Sequence, residues 1–191
     1  MRIFGKLYDW TMLRARHRRA PLYLGALSFA ESSFFPVPPD VMLAPMALAS
    51  PQRAWHLALL TTVTSVIGGL FGYLIGVFAF EWVAPLLREW GYWQYYETAK
   101  AWFATWGFWA ILIAGFSPIP YKVFTIAAGT VAMGLPGFIA ASVIGRGSRF
   151  FLVAALMRWG GERMERMLRQ YVDTVGWIMV VLAVVLFWFT R

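Results

Sequence analysis

The sequence predicts an all-α polytopic membrane protein. It reads as an inverted repeat of two re-entrant, broken-helix hairpins, each followed by a transmembrane helix, with an N-terminal amphipathic helix and a C-terminal transmembrane helix added. Three observations predict this. Apolar residues fill 60% of the 191 positions and charged residues only 14%, with a mean hydropathy of +0.62, outside the balance of a soluble domain. Several apolar stretches, at 54–80, 108–114, 123–141 and 174–189, include runs long enough to cross a hydrocarbon core of roughly 30 Å. Finally, two proline-broken segments echo each other. Glu31 to Asp40 reads E-S-S-F-F-P-V-P-P-D and Phe116 to Lys122 reads F-S-P-I-P-Y-K. Laying Pro36 on Pro118 and Pro38 on Pro120 puts Asp40 on Lys122, an acid in one copy where the other has a base.

Taken in order, residues 1–19 carry Arg2, Lys6, Arg14, Arg16, Arg18 and Arg19 among Phe4, Leu7, Trp10 and Leu13. That basic amphipathic pattern suits an anionic membrane surface. The first repeat, 20–80, opens with an arm too short for a full crossing. Pro36, Pro38 and Pro39 then interrupt the helix, and a second short arm follows at 41–49, so the pair reads as a re-entrant hairpin, with a single long kinked helix as the alternative. Residues 54–80 are the crossing that follows, with Gly68, Gly72 and Gly76 spaced by four as a smooth stripe for close helix packing. The same stripe also permits a homodimer. Residues 81–106, rich in Trp and Tyr, read as an interfacial connector. The second repeat, 107–159, is broken around Pro118 and Pro120, and a polar linker and last crossing occupy 160–191.

Eleven basic residues fall on the side of the N-terminus in this topology and three on the other, which places the N-terminus in the cytoplasm. The net charge of +8 lies between apolar segments, not along one soluble face, and so points to a membrane surface and away from nucleic acid. An Ala47-Leu48-Ala49 triplet gives the start a signal-peptide look, but Glu31, Asp40 and the prolines before it do not belong in an apolar signal core. With no cysteine in the chain, disulfides and thiolate chemistry are excluded.

Five ionisable residues remain inside apolar segments: Glu31, Asp40, Lys122, Arg146 and Arg149. Each is disfavoured there by about 2.5–3.5 kcal/mol on insertion scales, so they need partners or a wet cavity. Asp40 precedes a half-helix and reads either as a cap of its free amides or as a ligand or proton group. Lys122 at a helix start and Glu31 near a helix end both oppose the local dipole, which calls for mutual pairing or a neutralising ligand. Arg146 and Arg149, three apart, share a face beside Gly145 and Gly147. They read as a site for an anionic phosphate group, or as structural ion pairs with Glu31 or Asp40. With all five ionised the cluster holds one surplus positive charge, and protonating a carboxylate raises it. Gly145-Arg-Gly-Ser-Arg lacks the strand and lysine of a phosphate loop, His17 and His56 lack metal-ligand spacing, and no Ser, His and Asp arrangement points to hydrolysis.

These residues resemble the DedA family of bacterial membrane proteins, also called the VTT or SNARE-associated Golgi protein family, and look closest to its YqaA-like branch. The resemblance runs from about Tyr23 to about Trp159. It is carried together by Glu31, Phe35-Pro-Val-Pro-Pro-Asp40, Gly68 to Gly76, Phe116 to Lys122 with Ala128-Gly129, and Gly145-Arg-Gly-Ser-Arg-Phe150. It implies two inverted re-entrant loops in the bacterial inner membrane. It also implies movement of phospholipids such as undecaprenyl phosphate or phosphatidylethanolamine, with proton motive force implicated in some members. Family members commonly carry carboxylates matching Glu31 and Asp40 and arginines in the second re-entrant region. This chain departs there, with Gly115 where an arginine is frequent and Lys122 in place of the second.

The expected function is therefore transport of a phosphate-headgroup lipid, a flippase or scramblase activity without cofactor or metal. Lys122, Arg146 and Arg149 would hold the substrate, while Glu31 and Asp40 would serve proton coupling or ion pairing. A proton-coupled exporter of small solutes or ions is the alternative. An enzyme such as a lipid phosphatase is disfavoured because no histidine lies within reach of the arginines.

Overall fold

The computed structural model describes residues 19–33, 37–89, 91, 93–117 and 121–161. The expected N-terminal amphipathic helix, Pro36, Pro118, Pro120 and the last crossing lie outside the described residues. Within them the chain is helical throughout, with no strand.

Helix α1, Ala20–Ser33, starts with Pro21 in its first turn, where a missing amide costs nothing, and stops ahead of the proline cluster. Helix α2, Asp40–Ala49, contains only ten residues and has Pro39 in the cap position, without a side-chain capping bond. Asp40 is thus the first helical residue and not the cap that its place beside the prolines allowed. A short turn of 3-10 helix, Pro51–Arg53, leads into α3, Ala54–Glu89.

At 36 residues, α3 is about 54 Å long, well beyond a bilayer core. The apolar span on it, Pro51–Trp82, matches the expected crossing at 54–80; the helix itself runs on to Glu89 through the expected connector, and α4 occupies Trp93–Phe116. The turn between them is tight, with Gly91 at φ 75°. Falling hydropathy after Phe80 marks where the chain would leave lipid, and nothing in residues 81–84 stops a helix.

Helix α5, Tyr121–Thr130, again has ten residues. A turn with Ala132 at φ 52° follows, closed by the Met133 amide donating to the Ala128 carbonyl at 2.9 Å. Helix α6, Leu135–Gly161, completes the described chain. The order helix, break, ten-residue helix, long helix therefore occurs twice.

Helix α3 is the central post. A Cβ on Gly68 would run into the Phe29 carbonyl of α1, and one on Gly76 into the Ile126 carbonyl of α5. Gly72 meets the Thr125 hydroxyl, and Gly129 of α5 sits just as close to the Tyr73 carbonyl. The glycine stripe is thus spent inside this chain, holding α1 and α5 against α3.

Two apolar cores result. One joins Leu24, Leu43, Met46, Leu57, Phe150 and Met157. The other joins Tyr73, Ile111, Ala114, Tyr121, Phe138 and Ala141. Because α3 and α6 each pass through both, the stretch between the cores on these helices falls at one level. Outward, α3 exposes Leu59, Val63, Ile67, Phe71, Leu74 and Phe78, an apolar strip that water would not tolerate. Three helical segments, Pro51–Trp82, Tyr96–Phe116 and Leu135–Gly161, are long and apolar enough to cross a membrane.

Candidate functional site

The layer between the two cores holds the charged residues. Arg146, on α6, is only 2% exposed and reaches α1 and α3 at once. Its Nη2 donates to Glu31 Oε2 and to Ser32 Oγ, and its Nε donates to Ser65 Oγ at 2.6 Å. The Ser32 and Ser65 hydroxyls are bonded at 2.7 Å. Rings complete the enclosure, with the guanidinium carbon 4.9 Å from the centre of Tyr121 and 4.7 Å from that of Phe150. Tyr121 is held in turn by donating to Ser142 Oγ at 2.5 Å, and Ser142 donates to the Phe138 carbonyl at 2.6 Å. Burying a guanidinium demands such a complement of partners. Glu31, opposed by the carbonyl end of α1, is compensated by Arg146.

One turn on, Arg149 faces the two chain breaks. Its Nη2 donates to Asp40 Oδ2 at 2.5 Å and its Nη1 to the Ser117 carbonyl at 2.7 Å. Asp40 opens α2 and Ser117 follows α4, so one side chain spans from the first break to the second. This pair is wetter than its neighbour, at 20% and 22% exposure. Asp40 also begins a helix whose amide end favours an anion.

Four of the five singled-out charges are thus joined in two ion pairs, Arg146 with Glu31 and Arg149 with Asp40. Lys122 is half-buried in the first turn of α5, next in sequence to Tyr121 under Arg146. Pro38 flanks this layer at the start of α2, and Gly68 and Gly72 supply the close approach of α1 and α5 that builds it. Gly115 packs against the backbone of Gly145 and Arg146, so a small residue there lets α4 and α6 meet. Sequence reasoning missed Ser32, Ser65, Ser117, Tyr121 and Ser142. Serines are too common to stand out, although Ser28 and Ser32 on α1 mirror Thr61 and Ser65 on α3: Ser28 donates to the Thr61 carbonyl at 2.8 Å. Among the described residues no cluster of His, Cys, Asp or Glu could hold a metal ion.

A bundle with three membrane-length helices, a lipid-compatible exterior and two ion pairs held between its apolar cores defines a polytopic membrane protein. The VTT domain model matches residues 37–159, and the chain belongs to that family, the DedA family. It is 45% identical to an uncharacterized protein of Haemophilus influenzae over 191 residues, the full length of both chains. It is also 46% identical over 187 residues to a protein of Histophilus somni described as an uncharacterized HI0703 homolog, covering 98% of each. No solved structure matches it.

Proposed function

We propose that the protein moves a phosphate-headgroup lipid, such as a polyprenyl phosphate or phosphatidylethanolamine, across the bacterial inner membrane as a flippase or scramblase. The observation that carries this reading is the ion-paired layer between two apolar cores, where Arg149 joins Asp40 at the start of α2 to Ser117 after α4. Helices α2 and α5, at ten residues each, are about 15 Å long, half a hydrocarbon core. In this reading they are the returning arms of two re-entrant hairpins, entering from opposite faces as the halves of an inverted repeat, with the N-terminus cytoplasmic. Broken helices at mid-membrane are how transporters place polar groups away from lipid.

Arg149 and Lys122 receive the phosphate. Arg149 is the more accessible arginine, and its planar guanidinium suits the oxygens of a phosphate. Arg146 and Glu31 keep the layer in place and join the substrate path only as the halves move. Protonating Asp40 or Glu31 frees positive charge for the headgroup, which couples transport to protons. Neither a cofactor nor a chemical step is needed.

The test is headgroup flipping in reconstituted vesicles with Arg149→Ala and Lys122→Ala. Loss of a charged hydrogen bond predicts a decrease of about tenfold or more for Arg149→Ala. Undiminished flipping in both variants removes the site. Solute movement driven by a pH gradient, without headgroup movement, transfers the same site to a small-solute exporter.

A further inference from the structure

Among the described residues, two buried side-chain atoms make no hydrogen bond: Asp40 Oδ1 and the Ser117 hydroxyl oxygen. Other hydroxyls in this layer, on Ser32, Ser65 and Ser142, are all engaged, as buried polar groups usually are. The unengaged pair is not scattered. One guanidinium touches both residues, Arg149 donating to Asp40 Oδ2 at 2.5 Å and to the Ser117 carbonyl at 2.7 Å. Both unengaged atoms therefore belong to residues held by one guanidinium: Oδ1 is on the carboxylate bonded to Nη2, and the hydroxyl is on the residue whose carbonyl is bonded to Nη1.

Their chemistries differ. A carboxylate oxygen only accepts, whereas a hydroxyl both donates and accepts. A bare anion satisfies the serine and repels the aspartate. Both atoms are satisfied by an anion that carries a proton donor of its own.

Resting on the transport reading above, the geometry points to a selectivity element: Ser117 and Asp40 together choose phosphate headgroups that bear a hydrogen-bond donor. The Ser117 hydroxyl donates to a phosphoryl oxygen while Asp40 Oδ1 accepts from the headgroup. A singly protonated phosphate monoester supplies the donor as its P–OH, and a phosphodiester can supply it from an ammonium or hydroxyl substituent. A methyl-capped phosphodiester has none and leaves Asp40 Oδ1 facing lone pairs. Sites built to hydrogen-bond a group reject the analogue lacking it, because their own polar atom stays unpaired. Ser117 thereby becomes a binding residue in its own right.

The experiment measures calorimetric binding to the purified full-length protein at pH 5, where a phosphate monoester is mostly a monoanion. The probes are dihexanoyl phosphatidic acid, dihexanoyl phosphatidylethanolamine, dihexanoyl phosphatidylmethanol and inorganic phosphate. The expected result is that the first two lipids bind about tenfold or more tightly than phosphatidylmethanol. Ser117→Ala weakens all three lipids by a similar factor. In Asp40→Asn the amide oxygen keeps Arg149 and the NH2 group replaces Oδ1, so the preference vanishes or reverses. Weaker binding of inorganic phosphate than of phosphatidic acid assigns the site to lipid headgroups; equal binding assigns the same donor-selective site to free phosphate.

Equal affinity of the wild-type protein for phosphatidylmethanol and phosphatidic acid overturns the inference and leaves the transport reading standing. So does a Ser117→Ala variant that folds and binds all three lipids unchanged. Absence of binding by every phosphate probe removes the transport reading itself.

Discussion

Arg146 and Arg149 stand three residues apart on one helix, and each holds a carboxylate from the first broken segment, yet their surroundings differ in kind. Arg146 is sealed, with serines from two helices on its edges and rings beside it. Arg149 keeps a fifth of its side chain accessible and lies beside two unengaged polar atoms. The same pair chemistry can therefore hold a fold together or wait for a competitor. What surrounds the pair decides which.

The comparison can be broken most forcefully at Glu31. Glu31→Ala leaves a buried guanidinium without its counter-charge and is expected to cost about 3–5 kcal/mol, read as a large fall in thermal stability in detergent. Asp40→Ala, at the wetter pair, should cost less, on the order of 1–2 kcal/mol, while abolishing flipping. If the two variants lose equal stability, the distinction between a sealed and an open pair fails.

Packing gives a finer test. Gly76→Ala and Gly129→Ala drive a methyl into a facing carbonyl, and overpacking of this kind costs about 1–3 kcal/mol. Gly134→Ala has nothing within 4 Å of the added carbon and should stay within about 0.5 kcal/mol. An effect of the opposite sign is expected at Ala132, held at φ 52°. Ala132→Gly relieves a left-handed backbone and is expected to raise stability by up to about 1 kcal/mol; a lower melting temperature would count against strain in that turn.

Much of this was legible before any coordinates. Composition gave the membrane class, and the rarity of intramembrane charge picked out Glu31, Asp40, Lys122, Arg146 and Arg149. The helix ends at Ser33 and Phe116 were visible because proline has a local, sequence-readable effect. Pairing was harder, since Glu31 and Arg146 lie 115 positions apart and either carboxylate could have met either arginine. Sharing a helix face suggested one ligand for Arg146 and Arg149, whereas their long side chains reach different helices. The end of α3 was not legible for a physical reason: hydropathy reports where lipid stops, and α3 continues past that point to Glu89. The serine contacts were invisible because a hydroxyl gains its role only from what faces it.

Tyr121 is fastened to α6 twice, through its hydroxyl to Ser142 and through its ring to Arg146, and Tyr73 of α3 both donates to the Met133 carbonyl at 2.6 Å and packs its ring on Phe138 of α6, centroids 5.2 Å apart. Helices α5 and α6 are therefore tied to each other as well as to α3. In the transport reading they move together, and a spin-label distance between the start of α5 and the middle of α6 should stay constant during turnover.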